Sequence, residues 1–274
     1  MEIAISASIV TYNNKKNILC EAIKSFLNTS INVKLYIIDN SPTDQIKNWI
    51  NIDPRIEYQF NNKNIGFGAA HNLIMKDSQK MGKYHLVLNP DIKFIQGTLE
   101  KLYHYMEQNP DVGNIMPKIL YPNGELQYLC KLLPTPKDWF IRMFVPIKSI
   151  KERNNYRFEM RFTNYDQIMN VPYLSGCFMF LRRKVIEEIG LFDEGIFMYG
   201  EDTDLNRRIH KKYKTIYFPQ TSITHNFEKG SHRNPRLFWI HIKAALYYLN
   251  KWGWFIDKER KQINTSILQK YNIH

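Results

Sequence analysis

Short uninterrupted apolar runs, each stopping at a polar or acidic triplet, constrain this chain most. Ile3 to Val10 stops at Thr11-Tyr12-Asn13. Val33 to Ile38 stops at Asp39-Asn40-Ser41, and Tyr84 to Leu88 at Asn89-Pro90-Asp91. A strand apolar at every position must be covered on both faces, as in a parallel sheet between helices. Helical spacing fills the intervals: Ile18, Leu19, Ala22, Ile23, Phe26 and Leu27 first, then a short helix around Thr43 to Ile50. Ile56, Tyr58 and Phe60 alternate as in a half-exposed strand. A helix is expected over Phe67 to Met81, and Leu99, Leu102, Tyr103 and Met106 mark another. In such α/β chains ligands bind beyond the carboxyl ends of the strands. Here those ends carry Asn, Asp, Thr and Ser, with neither a GxxxxGK[ST] phosphate loop nor a GxGxxG turn.

The second half is less regular. Ile119 to Tyr121 and Leu126 to Tyr128 flank Pro122-Asn123-Gly124-Glu125, a hairpin signal. Residues 134 to 170 are basic and aromatic without a clear period and read as an irregular excursion. Val171 to Leu181 reads as one strand containing Gly176, where a ligand or another backbone would approach closely. A helix over Lys184 to Ile189 ends at Gly190. Thr215 to Phe218 and Ser222 to His225 read as two short strands, and an aromatic helix with interspersed bases runs from Arg236 to Trp254.

Between them lies Leu191 to Lys212. Glu201, Asp202 and Asp204 open a helix that closes on Arg207, Arg208, Lys211 and Lys212, an order that complements the helix dipole. Leu205 and Ile209 define its buried stripe, and Asp202 sits at the edge of that stripe. A carboxylate directed inward from a helix start fits a capped terminus and fits a base facing a cleft. The stretch alone does not separate the two.

The chain of 274 residues is long enough for one large domain or two small ones. Its net charge of +12 calls for an anionic partner: nucleic acid, an acidic membrane surface or a phosphorylated substrate. Three widely spaced cysteines (Cys20, Cys130, Cys177) indicate buried thiols in a reducing compartment instead of a disulfide framework or zinc site. No apolar run approaches the ~20 residues that span a bilayer. The N-terminus enters its first apolar run without a basic leader, so no signal peptide is expected.

Several segments, taken in order, resemble glycosyltransferase family 2, closest to its bacterial rhamnosyltransferase and galactofuranosyltransferase-like branch. They are Ser8 to Asn13, Ile37 to Ser41, Asn64 to Gly68 followed by Asn72, Leu88 to Asp91, Ser175-Gly176, Phe192-Asp193-Glu194 with Tyr199 to Asp204, and His225. Each motif is weak alone; their order and spacing are specific. The resemblance implies a GT-A α/β fold: a Rossmann-like, mostly parallel sheet flanked by helices, with a smaller acceptor-side region and a C-terminal helical segment. It implies a glycosyltransferase domain over 1–235, divided into a nucleotide-sugar half (1–118) and an acceptor and catalytic half (119–235), with 236–274 as a helical extension.

The resemblance also implies roles. Thr11, Tyr12, Asn13, Asp39, Asn64, Gly66, Asn72, Asn89 and Gly176 would bind substrate, and His232 and Arg233 would clamp the diphosphate. Asp91 and His225 would hold a divalent cation, Mg²⁺ or Mn²⁺. Asp202 would be the base of a single inverting displacement, with Glu201 the runner-up. Many family members carry Asp-X-Asp at the metal motif; this chain has Asn89-Pro90-Asp91, one carboxylate fewer, so weaker metal affinity is expected. The donor expected first is dTDP-L-rhamnose, then UDP-galactofuranose or another UDP-hexose. The acceptor expected is a bacterial surface glycan on a lipid diphosphate carrier, reached by a cytoplasmic enzyme peripheral to an anionic membrane surface. A sugar nucleotidyltransferase would need a glycine-rich loop where Thr11-Tyr12-Asn13-Asn14 stands. A nucleic-acid-binding protein would explain the charge but not carboxylates at successive strand ends, so no nucleic acid partner is expected.

Overall fold

The computed structural model describes residues 2–50, 53–226 and 235–273. The first half alternates as expected: β1 (Ile5–Thr11), α1 (Lys16–Leu27), β2 (Val33–Asp39), a 3₁₀ turn (Gln45–Trp49), β3 (Ile56–Phe60), α2 (Phe67–Met75), β4 (Tyr84–Leu88), β5 (Ile92–Lys93) and α3 (Thr98–Gln108). Then come β6 (Val112–Leu120), β7 (Cys130–Lys131), α4 (Pro136–Phe144), α5 (Lys148–Phe158), β8 (Met169–Asn170), β9 (Tyr173–Leu174) and β10 (Phe178–Arg182). The chain continues with α6 (Arg183–Ile189), α7 (Glu201–His210), β11 (Lys214–His225), α8 (Pro235–Trp252) and α9 (Lys258–Lys270).

The central sheet has the order β3-β2-β1-β4-β10-β6-β11-β5, with β8 paired to β11. Strands β1 to β4, β6 and β11 run one way, and β5, β8 and β10 oppose them. The expected α/β, mostly parallel sheet is therefore present. Its uninterrupted apolar runs are buried because helices cover both faces, with Ile5, Ile9, Leu35, Ile37, Leu86 and Leu88 fully inaccessible. A polar thread crosses this core: Ser6 Oγ to His85 Nδ1 (2.8 Å), His85 Nε2 to Ser8 Oγ (2.8 Å), and Ser8 Oγ to His71 Nδ1 (2.6 Å). Burial pushes the His85 imidazole down to about 3, and His71 is also well below its ordinary range.

Several expectations need correction. Residues 134 to 170 are not irregular: α4 and α5 occupy much of the stretch. Thr135 caps α4, its hydroxyl accepting from Asp138 N–H while Asp138 returns a bond to the Thr135 N–H, with Pro136 at the first turn. Val171 to Leu181 is two strands, β9 and β10, broken at Ser175-Gly176-Cys177. Thr215 to His225 is one strand with a register shift between Phe218 and Ser222. Helix α2 stops at Met75, short of Met81. The region around Pro122 to Glu125 forms a turn closed by a single Leu120–Leu126 bridge. The expected buried thiols are Cys130 and Cys177; Cys20 is partly buried.

The break before β10 positions the site. Because β10 lies antiparallel to β4, with Phe178 opposite Leu88, its entry falls at the carboxyl end of β4. Asn89 N–H donates to Cys177 O at 2.9 Å there. Register also pairs His225 with Ile92, so the end of β11 meets Asp91.

Candidate active site

The carboxyl ends of β1, β2 and β4 open onto a cavity of about 1090 Å³. Asn40, Asn64, Gly66, Asn89 and Asp91 from the first half of the chain line it together with Lys131, Arg142, Tyr173, Gly176 and Asp202 from the second.

Asp202 lies in the first turn of α7. Its Oδ2 accepts from Gly176 N–H at 2.8 Å and lies 3.5 Å from Tyr173 OH; its Oδ1 accepts from Thr203 N–H at 2.7 Å. A Cβ at position 176 would sit 2.9 Å from Asp202 Cβ, so the glycine is what lets this carboxylate lie against the β9–β10 break. The turn feeding α7 is strained. Tyr199, a bulky residue, has φ +75°, and Gly200 follows at +138°. Phe197, in the same loop, accepts from Phe67 N–H at 2.9 Å. Gly66 holds that contact open, since a Cβ there would meet Phe197 O at 2.5 Å and its φ is +92°.

Glu201, next to Asp202, is buried, and its Oε2 has no hydrogen bond among the described residues. Burial, then the charge of Asp202, raises the Glu201 carboxyl to about 8. The two adjacent carboxyls therefore differ: Asp202 is held by N–H donors at the cavity, while Glu201 favours its neutral form near pH 7.

At the other end, His225 Nε2 lies 3.3 Å from Asp91 Oδ1. Gln127 sets the ring. Its Nε2 donates to His225 O at 2.9 Å, which turns its Oε1 toward His225 Nδ1, also at 2.9 Å. Nδ1 therefore carries a proton in either charge state, and Nε2 is aimed at Asp91. Burial disfavours the His225 imidazolium, but the neighbouring Cys177 and Asp91 outweigh it and raise the imidazole to about 10. Asp91 Oδ1 is buried without a hydrogen bond among the described residues. A buried carboxylate oxygen beside an oriented imidazole is a donor pair that suits Mg²⁺ or Mn²⁺ when substrate oxygens complete the shell. No group of three or more His, Cys, Asp or Glu able to hold a metal occurs among the described residues, so the protein's share is small.

The structure brings Tyr12, Asn64, Gly66, Asn89, Asp91, Gly176, Glu201, Asp202 and His225 to one cavity. It does not bring Thr11, Asn13, Asp39 or Asn72 to its wall. Asp39 is fully buried and accepts from Thr11 Oγ1 (3.1 Å), Ser41 N–H (2.9 Å) and Tyr58 OH (2.7 Å), tying together the ends of β1, β2 and β3. Asn13 is exposed, and its N–H donates to Ser41 Oγ. Asn72 donates to Phe192 O and Glu194 Oε1 and accepts from Phe192 N–H, pinning the loop before α7. His232 and Arg233 lie outside the described residues.

Sequence reasoning missed Gln127, Tyr173 and Lys131. The signal for Lys131 was available: it is a charge inside the apolar run Leu129-Cys130-Lys131-Leu132-Leu133. Asp204 pairs with Arg208 as its i,i+4 spacing suggests (2.9 Å), and also accepts from Trp252 Nε1 (2.8 Å) and Lys251 (2.8 Å). Arg207, read from the sequence as a helix-end base that complements the dipole, is buried. It makes paired bonds to Asp257 (2.7 and 2.8 Å), lies 4.1 Å over the Trp252 ring and ties α7 to the C-terminal helices.

The mostly parallel sheet with its cavity at the strand ends is the GT-A architecture. Residues 6–190 match the model of glycosyl transferase family 2, and the chain belongs to that family. It is 26% identical over 217 residues to an N-acetylglucosaminyl-diphospho-decaprenol L-rhamnosyltransferase of Mycobacterium tuberculosis, covering 74% of this chain and 69% of that protein. It is 26% identical over 210 residues to a low-salt glycan biosynthesis hexosyltransferase of Haloferax volcanii, covering 75% of this chain and 62% of that one. Among solved structures, GalNAc-T7 with UDP, GalNAc and Mn²⁺ superposes with a TM-score of 0.67 at 16% identity over 92% of this chain. This chain spans about half of GalNAc-T7, 49% of its length. Staphylococcus aureus TarS gives a TM-score of 0.57 at 14% identity, over 98% of this chain and 71% of its own. Both structural likenesses concern the fold.

Proposed function

We propose that the protein is an inverting glycosyltransferase. It moves L-rhamnose from dTDP-L-rhamnose to a hydroxyl of a bacterial surface glycan carried on a lipid diphosphate. UDP-galactofuranose and other UDP-hexoses are the next donors. The observation that carries this reading is the placement of Asp202, fixed by Gly176 N–H, on the same cavity as the Asp91–His225 pair. The rhamnosyl and lipid-diphosphate parts rest on the likeness to the Mycobacterium L-rhamnosyltransferase.

In the proposed step the acceptor hydroxyl enters beside Asp202 and passes its proton to a carboxylate oxygen. The hydroxyl oxygen bonds to the anomeric carbon as the bond to the diphosphate breaks on the opposite face. Thr203 N–H and Gly176 N–H hold the two carboxylate oxygens in place. Asn89 and Asn64 offer neutral donors and acceptors to the sugar and nucleotide. Asp91 and His225 would hold Mg²⁺ or Mn²⁺, which supplies charge neutralisation to the departing diphosphate. Glu201, protonated, adds no second negative charge beside the base.

We assign 1–118 to the nucleotide-sugar half, 119–235 to the acceptor half and 236–274 to an extension. No helix among the described residues is long and apolar enough to cross a membrane. Trp239, Phe255 and Ile256 are exposed (60%, 86% and 86%), which with the +12 charge supports contact with an anionic bilayer surface.

Incubation with each candidate sugar nucleotide, with and without Mn²⁺, tests the donor by nucleotide release. NMR of the new anomeric centre tests inversion. Rhamnose transfer to the acceptor with a retained anomeric configuration would overturn the single-displacement reading.

A further inference from the structure

Three cations stand on the acceptor wall of the cavity, and two are already neutralised. Arg142 Nη1 bonds Glu159 (2.7 Å) and Asn155 (2.8 Å). Arg161 bonds Glu159 (2.6 Å) and Glu152 (2.9 Å). The third, Lys131, has no hydrogen bond or ion pair among the described residues. Its Nζ lies 4.7 Å over the face of Tyr173, its partner in the β7–β9 ladder. That ring's hydroxyl reaches toward Asp202, 3.5 Å away, so the ammonium and the proposed base flank one aromatic plate.

The setting is costly for a cation. Lys131 sits in an apolar run and is partly buried, and burial, then the charge of Arg142, pulls its ammonium below the ordinary lysine range. An aromatic face recovers only about 0.5–2 kcal/mol for a cation, less than a carboxylate at hydrogen-bond distance. A partly desolvated ammonium with Asp202 and Glu159 nearby but no carboxylate at hydrogen-bond distance, on a wall whose arginines are both paired, is suited to an anion that arrives with the substrate. Lysine is a point charge on a flexible stem, so it accepts phosphate and carboxylate alike.

We propose that Lys131 is an anion-binding subsite on the acceptor side, recognising a phosphate or carboxylate that the acceptor carries close to the attacked hydroxyl. This rests on the glycosyltransferase reading above and makes the acceptor's charge a specificity determinant. The donor diphosphate would face Asn89 and Asp91, and filling that site with nucleotide lets binding at Lys131 be read separately.

Binding can be followed by the fluorescence of Trp139, which lines the cavity, with Mn²⁺ and saturating dTDP or UDP filling the donor side. Three probes suffice: farnesyl-diphospho-N-acetylglucosamine, octyl glucuronide and neutral octyl N-acetylglucosaminide. The wild-type protein should bind at least one anionic probe about tenfold or more tighter than the neutral one, a ratio worth about 1.4 kcal/mol. Preference for the first identifies a lipid diphosphate; preference for the second identifies an acidic sugar. Lys131→Met, which keeps the packing on Tyr173, should abolish the preference, and Lys131→Arg should retain most of it. Both variants should keep the wild-type melting temperature and nucleotide affinity. No anionic preference in the wild-type protein, binding of no probe, or preference surviving in Lys131→Met overturns the inference. Absence of dTDP and UDP binding in the wild-type protein would instead overturn the donor reading on which it rests.

Discussion

The halves assigned above to nucleotide and acceptor differ in how they hold several of their motif residues. In the first, Asp39, Thr11 and Asn72 are buried with protein partners at hydrogen-bond distance, and the Ser6–His85–Ser8–His71 thread runs through the sheet. In the second, Lys131 and Glu201 Oε2 stand without hydrogen-bond partners among the described residues, and the α7 entry is strained at Tyr199. At Asp39, Thr11 and Asn72 the first half is finished as a scaffold, and Asp91 Oδ1 is the motif atom it leaves open to the cavity. The second holds groups whose interactions are incomplete until substrate arrives, as expected of a site tuned for chemistry. A residue that matches a motif can therefore act by shaping strand ends, without touching a ligand.

The sharpest way to break this contrast is Asp202→Asn. Transfer should fall by about 10²- to 10⁴-fold while nucleotide affinity, set in the other half, is unchanged. Steady-state rates with titration calorimetry check both, and transfer near the wild-type rate would remove Asp202 as the base. Next in size is Arg207→Met, which strands the buried Asp257. It should cost about 3–5 kcal/mol in urea unfolding. Gly176→Ala should lower turnover by about ten- to a hundredfold by displacing Asp202, with the melting temperature moved far less. The smallest effect is in the pH profile of stability. His85 is lowered from 6.5 to about 3, so its contribution is present above 6.5 and lost as pH falls toward about 3. Glu201 is raised from 4.5 to about 8, so the stability of its protonated form is present below 4.5 and lost as pH rises through about 8. Urea midpoints across pH 4 to 9 should flatten on the alkaline limb in Glu201→Gln and keep their acid limb.

The same contrast explains what could be read from the sequence. Strands β1 to β4 were legible because burial on both faces writes itself as continuous apolar runs. The α7 start was legible from Gly200 and its acidic turn. Strand β6 was not, since Asn114, Pro117 and Lys118 interrupt its pattern while long-range pairing to β11 stabilises it. Helices α4 and α5 were hidden by their exposed basic faces, though Thr135-Pro136 with Asp138 was a start signal. At the break from Ser175 to Cys177, Gly176 marked a close approach, but its partner Asp202 lies far along the chain and no local pattern names it. Lys131 and Gln127 act through partners that only the fold brings near.

The buried Arg207–Asp257 pair has a practical consequence for handling the enzyme. The helix that presents Asp202 is bolted through Arg207, Trp252 and Glu259 to the last two helices. A version shortened before α8 would leave a guanidinium and an indole-sized hollow behind the reactive turn. Such a shortened protein should express poorly and aggregate, and chimeras between relatives should exchange α7 and the tail together.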